Sequence, residues 1–343
     1  MHREKLSLYT DSVLISAVVP AFNNAAHIAA TLQSIIAQDY ENLEIICVND
    51  ASADDTLKKA EEVLKNSGRA FKIITHEKNS GEGASRNTGI NSSSGEYICF
   101  CDGDDMMKEN YVSTLVNLIR KYDCDISFGG MLDYFEDGRP EKFWPVNIKS
   151  ENPITGGLAL ELRIKNLIAP HVCSMMFRKK FLDEINLRFS ENCVACADIE
   201  FQWKALCRAE KVSFTHECLY IYVHSPEMGS IRDNNTAEKK LRRYIDSTGA
   251  HQRTAEYLSV HAPTEKIKFL ADNLLIPEAV IRRFTIAARK NDEGAYKSLC
   301  RDKNLRKILW RARKIFFNKP EIFLKALIIL FAPGLYYLMR RKK

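Results

Sequence analysis

Glycine and proline are scarce, at fifteen and ten in 343 residues. This excludes a collagen-like or low-complexity chain, and 45% hydrophobic residues exclude a disordered one. No GxGxxG follows the first apolar run, where the chain reads PAFNNAAH, so a nicotinamide-dinucleotide fingerprint is missing. The same loop lacks the Gly-rich, Arg-containing pattern of a sugar nucleotidyltransferase. The opening MHREKLSLYTDS has no apolar h-region, so no secretory signal is expected. Of ten cysteines, most lie in apolar runs such as IICV (Cys47) and YICFC (Cys99, Cys101), which suits reduced core residues of a cytoplasmic protein. Cys193 and Cys196 have the spacing of half a zinc knuckle, but the second half is missing. At roughly 150 residues per domain, the length predicts about two domains.

Charge is unevenly spread. The net is +6, yet residues 301–343 alone carry 13 basic and two acidic side chains, leaving the first 300 residues at −5. A mildly acidic body argues against nucleic acid as a partner; a basic tail points to an anionic surface.

The first hundred residues alternate strand and helix signals. Apolar, β-branched runs at 13–20, 43–50, 71–75 and 96–101 read as buried strands. Helices are predicted over 25–37, with Ile28, Leu32, Ile35 and Ile36 on one face, from Ser52 through about Asn66, and from Gly83 to about Asn91. Ser52 with Asp55 resembles a capping box. Beyond, the pattern predicts a helix near 109–122, a strand near 125–129, a loop over 133–153 and a helix near 156–167. A strand entering a helix follows at 174–184, then a helix over Asp198–Ala209, a strand at 219–224 and mainly helices over 236–300. Strand–helix alternation predicts an α/β fold with a mostly parallel sheet covered by helices on both faces, with ligands at the carboxyl ends of the strands. The polar residues Asn23, Asp50, Asp102, Asp104 and Asp105 all fall at such ends.

Several of these could carry chemistry. DGDD at 102–105 crowds carboxylates that a cation would relieve, and oxygen-only ligands suit Mg²⁺ or Mn²⁺. A turn with a capping Asp has the same composition. Asp50 could accept hydrogen bonds from a base or ribose, or simply brace its loop. Arg86, near a helix N-terminus, could meet a phosphate or lie solvated. Asp198 could be a helix N-cap or a general base. His224, at a strand end, could be a ligand or structural.

In order, ISAVVPAFNN, SIIAQDYENLEIICVNDASADDT, EKNSGEGASRNTGI, SSGEYICFCDGDD, MMFRKKFLDEINLRF, ADIEF and LYIYVHS resemble glycosyltransferase family 2, the inverting, nucleotide-sugar-dependent enzymes of the GT-A fold. The resemblance covers about residues 12–230 and implies two halves, about 12–108 on the nucleotide-sugar side and about 109–230 on the acceptor side. A helical extension over 231–300 and a tail over 301–343 would follow. It implies that Asp50 contacts the base or ribose, that Pro20, Ala21, Phe22 and Asn23 wall the base, and that Arg86 and Gly103 lie near the nucleotide. Asp102 and Asp104 match the DxD pair, with Asp102 on ribose or metal and Asp104 on a Mn²⁺ or Mg²⁺ ion; His224 would assist there. Asp198 matches the proposed base. UDP is the commonest donor nucleotide in the family. Two positions depart from the pattern: Ala197 replaces the usual Glu before the base, and Ala51 the usual Gly after the second-strand Asp. Ala197 leaves open a catalytically silent binding protein.

In the tail, Leu305, Ile308, Leu309, Ala312 and Ile315 share a helical face opposite Arg and Lys, the pattern of a basic amphipathic helix. Residues 326–339 are uncharged and broken by Pro333-Gly334. Fourteen helical residues reach about 21 Å, short of a ~30 Å hydrocarbon core, so an interfacial or re-entrant segment is favoured over a span; a buried C-terminal helix is the alternative. Together these imply a peripheral enzyme at the inner membrane face, acting on a glycan or lipid-linked glycan in cell-surface polysaccharide assembly.

Overall fold

The computed structural model describes residues 13–191, 193–225, 236–317 and 319–341. The opening residues considered for a signal, Pro226 and the final two lysines lie outside them. Two compact units emerge. The first comprises the described parts of 1–154, 167–186 and 211–229; the second comprises 155–166, 187–210 and the described parts of 230–343.

A mixed ten-stranded sheet dominates the first unit. Its strands are β1 (Ile15–Ala21), β2 (Leu43–Asn49), β3 (Ala70–Thr75), β4 (Tyr97–Phe100), β5 (Met106–Met107), β6 (Ile126–Phe135), β7 (Lys142–Trp144), β8 (Ile154–Thr155), β9 (Met175–Arg178) and β10 (Lys211–His224). The order is β3-β2-β1-β4-β9-β6-β10-β5, with β7 paired to β6 and β8 to β10 off this path. Pairing is parallel through β3-β2-β1-β4 and again between β6 and β10. Between them β9 runs antiparallel to both β4 and β6, so the sheet is parallel across β3-β2-β1-β4 and mixed beyond. Every residue of β1, β2 and β4 is buried, as continuous apolar runs covered on both faces require.

Helices α1 (Ile28–Ile36), α2 (Thr56–Lys65), α3 (Glu82–Ser92) and α4 (Tyr111–Lys121) connect these strands. α1 buries Ile28, Leu32 and Ile35 of the predicted stripe together with Thr31, while Ile36 is half-buried. The expected capping box before α2 does not form. Asp55 occupies the cap without a side-chain bond, Asp54 accepts from Thr56 N (3.0 Å), and Ser52 Oγ turns away to accept from Asn23 N (3.0 Å). Ser52 is thereby used to brace the neighbouring loop. The strands predicted at 125–129 and 219–224 are longer, because β6 and β10 pair with each other along most of their length across a bulge and shield polar positions that broke the sequence pattern.

The second unit is helical. It contains α5 (Gly156–Ile164) and, after the first unit's α6 (Lys179–Glu184), α7 (Ala197–Arg208) and α8 (Ala237–His261). Next come α9 (Glu265–Leu270), a π-turn over Ala271–Leu275, α10 (Ile276–Arg289), α11 (Glu293–Arg301), α12 (Lys303–Arg311), α13 (Pro320–Phe331) and α14 (Pro333–Arg340). Glu200 of α7 is almost fully buried and is held by Arg253 of α8 through Nη2 (2.7 Å) and Nε (3.0 Å), and by Lys204 Nζ (2.6 Å). Burial alone would raise its pKa; Arg253 and Lys204 outweigh this and hold the carboxyl below its usual range.

The tail corrects one expectation. Leu305, Leu309, Ala312 and Ile315 are buried within the second unit and Ile308 is half-buried, so most of the apolar stripe of 301–317 faces protein. No single described helix is long and apolar enough to cross a membrane; α13 and α14 form a pair bent by 118°.

Candidate active site

The candidate site in the first unit lies at the carboxyl ends of β1, β2 and β4. β1 ends on Pro20 and Ala21, and the β1–α1 loop leaves the sheet through Phe22 and Asn23. Asn23 adopts a left-handed φ of 53° and accepts from Ala53 N (2.9 Å), while Phe22 N donates to Asn24 Oδ1 (2.7 Å). The Phe22 ring is 43% exposed, an apolar surface beside a polar loop. Ala51 also sits at φ 56°, the conformation that glycine adopts without strain. The replacement of the usual Gly therefore keeps the backbone shape at an energetic cost.

Asp50 is 2% exposed and bound within the protein. Its carboxylate accepts from Ser80 N (2.9 Å) and Gly81 N (2.8 Å), and Oδ1 lies 2.7 Å from His76 Nδ1. The far ring nitrogen of His76 lies 2.9 Å from Thr88 Oγ1. Asp50 thus fastens the loop that opens α3, whose N-cap Gly81 has φ 90°. The bracing role weighed from sequence is the one these contacts describe. His76 was not singled out from sequence: it follows the third strand in ITHEKN, and a polar residue after a buried strand was the available signal.

Gly103 approaches the β1 loop so closely that a Cβ would lie 3.0 Å from Pro20 O and from Asn24 Oδ1. Its N–H donates to Pro20 O (3.1 Å). A side chain there would have to push these neighbours back by a few tenths of an ångström, so glycine suits the close approach of the DGDD turn to the end of β1.

Arg86 is buried, 1% exposed, and is no solvated surface cation. Its Nη2 bonds Asp102 Oδ1 at 2.6 Å and also pairs with Glu82 one turn earlier on α3. Burial would raise the Asp102 carboxyl, but Arg86 beside it, with His171 nearby, holds it below the usual range. Asp104 differs: burial and the Asp102 charge push its pKa up to about 6. Asp105 is completely buried and is pushed well above the normal range by burial and by Asp102 and Asp104. One motif therefore holds an ionised carboxylate and a second whose ionisation is opposed by the first, a crowding that a divalent cation would relieve. The oxygen-only donor set fits such an ion.

His171 and Cys173, on the segment entering β9, were also missed; PHVCS carries no recognisable spacing. Together with Asp102 they form the one group of three potential metal ligands among the described residues, their ligand atoms within 4.8 Å of one another. The Cys173 thiol is buried and pushed far above its usual pKa by burial and Asp102, which keeps it protonated and inert, and it donates to Asp102 Oδ1 (3.5 Å). His171 stacks on Tyr220 with ring centroids 5.9 Å apart.

His224 ends β10 at 3.2 Å from Asp133 Oδ1 and stacks on Phe135 at 4.5 Å. Among the described residues no group of three ligands joins it to Asp102 and Asp104. Cys193 and Cys196 likewise belong to no such group; Cys196 Sγ instead meets Ser247 Oγ (3.4 Å).

Asp198 belongs to the second unit. The α7 cap is Cys196, at φ 66°, so the N-cap expectation for Asp198 is corrected; Asp198 stands in the first turn, where the helix terminus favours an anion. Within that unit its charge acts on Arg163, whose pKa is lowered by burial and partly restored by Asp198. A cleft lined by Gln38, Tyr40 and Arg69 lies at the opposite ends of the strands, and Arg69 fills its hydrogen-bonding capacity there with the carbonyls of Ile36, Gln38, Tyr40 and Glu41.

The sequence profile of Glycosyl transferase family 2 matches residues 16–184. An uncharacterised glycosyltransferase of Haemophilus influenzae is 31% identical over 237 residues, covering 67% of this chain and 72% of its relative. The chain belongs to glycosyltransferase family 2. Glycosyltransferase GlyA of Streptococcus pneumoniae is 38% identical over 122 residues, 36% of this chain and 17% of GlyA. The chain spans 17% to 62% of the length of four curated relatives that it matches. In fold, this family 2 transferase is similar to S. aureus TarS 1-349, solved in complex with UDP-GlcNAc, with TM-score 0.67 and 19% identity over 94% of this chain and 92% of that one. It is also similar to the mannosyltransferase PcManGT of Pyrobaculum calidifontis, solved with GDP-Man and Mn2+, with TM-score 0.53 and 13% identity over 94% and 88%. The family 2 fold is thus GT-A-like, with a C-terminal helical region.

Proposed function

We propose that this family 2 enzyme is an inverting glycosyltransferase that moves a sugar from a nucleotide-diphosphate sugar, UDP-linked in the first instance, to a hydroxyl of a glycan or lipid-linked glycan in cell-surface polysaccharide assembly. The observation that carries the reading is the DGDD turn. Asp102 and Asp104 stand at the carboxyl end of β4, beside the exit loops of β1 and β2, with the Asp104 pKa raised to about 6 by burial and the Asp102 charge. The nucleotide-sugar complexes of TarS and PcManGT support the donor class.

The exposed Phe22 ring offers the base an apolar wall, while Asp50 keeps the α3 entry loop in place. Asp102 and Asp104 would hold a divalent cation, Mn²⁺ or Mg²⁺, which when bound offsets the negative charge of the leaving diphosphate. Arg86 keeps Asp102 ionised for that task. Asp198 takes the proton of the acceptor hydroxyl. The freed oxygen bonds to the anomeric carbon as the carbon–oxygen bond to the diphosphate breaks, so one displacement inverts the configuration. With Ala197 in place of a carboxylate, orientation of the acceptor falls to other groups. The basic, apolar tail supports work at the inner face of a membrane, where lipid-linked acceptors reside.

The test is release of nucleoside diphosphate from a panel of UDP- and GDP-sugars with Mn²⁺, for the wild type and for Asp104→Asn. Metal-dependent turnover that the variant loses supports the reading. Donor binding with no turnover on any acceptor would make the chain a silent binding protein instead.

A further inference from the structure

The basic stretch 301–317 hides most of its predicted apolar stripe, yet the same unit exposes a different apolar set. Trp310 is 43% exposed, Phe317 93%, Phe331 73%, Leu335 54%, Leu338 66% and Met339 58%. Leu335, Leu338 and Met339 fall at i, i+3 and i+4 on one face of α14, while Tyr336 points inward. The rings of Trp310 and Phe331 lie 6.4 Å apart, which links α12 to the end of α13. Basic side chains accompany this set. Arg313 lies over the Trp310 ring at 5.1 Å, Lys307, Arg311 and Lys314 are exposed, and no acidic residue follows Glu321.

We infer that this surface of α12, α13 and α14 docks on an anionic lipid bilayer and lies within its interface. Large aromatic and aliphatic side chains exposed to water are costly, and a cluster of them marks an interaction surface. Aromatic rings interleaved with Lys and Arg suit the headgroup boundary, where a ring has an apolar body to bury and a cation meets lipid phosphate. Together the two helices, of 12 and 8 residues, are as long as a ~30 Å core is deep, but the 118° bend between them breaks a straight span, so they rest in the interface. A second copy of the chain is the poorer occupant, since it would oppose two segments that each carry 13 basic and two acidic residues. The inference deepens the membrane-side part of the proposed function and rests on it.

The experiment is flotation of the full chain with phosphatidylcholine vesicles, with and without phosphatidylglycerol. Two variants accompany the wild type: Phe317→Ser/Leu338→Ser/Met339→Ser, and Arg311→Gln/Arg313→Gln/Lys314→Gln. Binding is expected to require phosphatidylglycerol, to weaken with salt, and to fall by roughly tenfold or more in each variant. Equal binding to neutral vesicles, or a serine variant that binds like the wild type, overturns the inference. So does a dimer in vesicle-free solution that the serine variant converts to monomer, since that assigns the surface to self-association. Hydrolysis of the donor without vesicles is read in parallel and should be equal in wild type and variants. Its absence from a wild type that still floats would sink the catalytic reading and leave the docking surface standing.

Discussion

The Tyr220 hydroxyl donates to Asp105 Oδ2 at 2.6 Å and accepts from Asp102 N at 3.3 Å, tying β10 to the DGDD turn from inside the core. The other Asp105 oxygen accepts from Val223 N at 2.8 Å. The third aspartate of the motif is therefore a brace, fully buried and facing strand β10, while Asp102 and Asp104 stand at the surface it supports. Removing the phenol leaves a buried acceptor and a backbone donor without partners. Tyr220→Phe should lose about 1–3 kcal/mol of stability, read from urea unfolding, with a parallel loss of metal-dependent turnover.

Asp104 sets a pH dependence. Its folded pKa of about 6 lies above the ordinary 3.8, so its protonated form stabilises the metal-free protein and that contribution is lost as pH rises from about 4 through 6. Asp104→Asn should therefore be more stable than the wild type at pH 7 without metal, by about 1–2 kcal/mol, and equal to it near pH 4. Thermal unfolding with excess EDTA across that range measures it. Adding Mn²⁺ should stabilise the wild type and leave the variant unchanged.

Asp198→Asn should reduce sugar transfer by roughly 10²–10⁴-fold, the usual worth of a general base, while leaving donor binding intact. Transfer assays paired with donor-induced thermal stabilisation separate the two. Wild-type transfer in this variant would remove Asp198 from the mechanism.

Ala51 holds a left-handed backbone with a side chain that disfavours it. Ala51→Gly should raise stability by about 1 kcal/mol, seen as a higher urea midpoint at an unchanged slope.

Buried Glu200 pairs with Arg253, whose side chain is 43% exposed, in the second unit. Arg253→Met leaves Lys204 as the remaining cation and, with solvent screening the exposed arginine, should cost about 1–2 kcal/mol at pH 7. The Glu200 carboxyl is held below its ordinary 4.5, so its contribution is complete above that pH and is lost as pH falls through the lower folded value. The difference between variant and wild type should accordingly shrink below pH 4.5 in urea titrations.

Much of the candidate site was legible because its residues follow buried strands. Asp50, Asp102 and Asp104 terminate apolar runs, and in a parallel sheet those ends share an edge. Their individual contacts were not legible. Nothing in CVNDAS shows that Asp50 spends its oxygens on Ser80, Gly81 and His76, and nothing in GASRNTG shows that Arg86 turns inward to Asp102. His171 and Cys173 lie about seventy residues from Asp102 and meet it only because β9 inserts antiparallel beside β4.

The sequence by itself determined the strand–helix alternation, the positions of the acidic turn and its glycine, the basic tail and the family. These depend on periodicity and on residue types at short spacing, which act locally along the chain. Tertiary structure alone decided which side of each element faces protein. An amphipathic stripe requires an apolar neighbour without naming it: for Leu305, Leu309, Ala312 and Ile315 that neighbour is the rest of the second unit, and Phe317, Leu338 and Met339 are left facing outward.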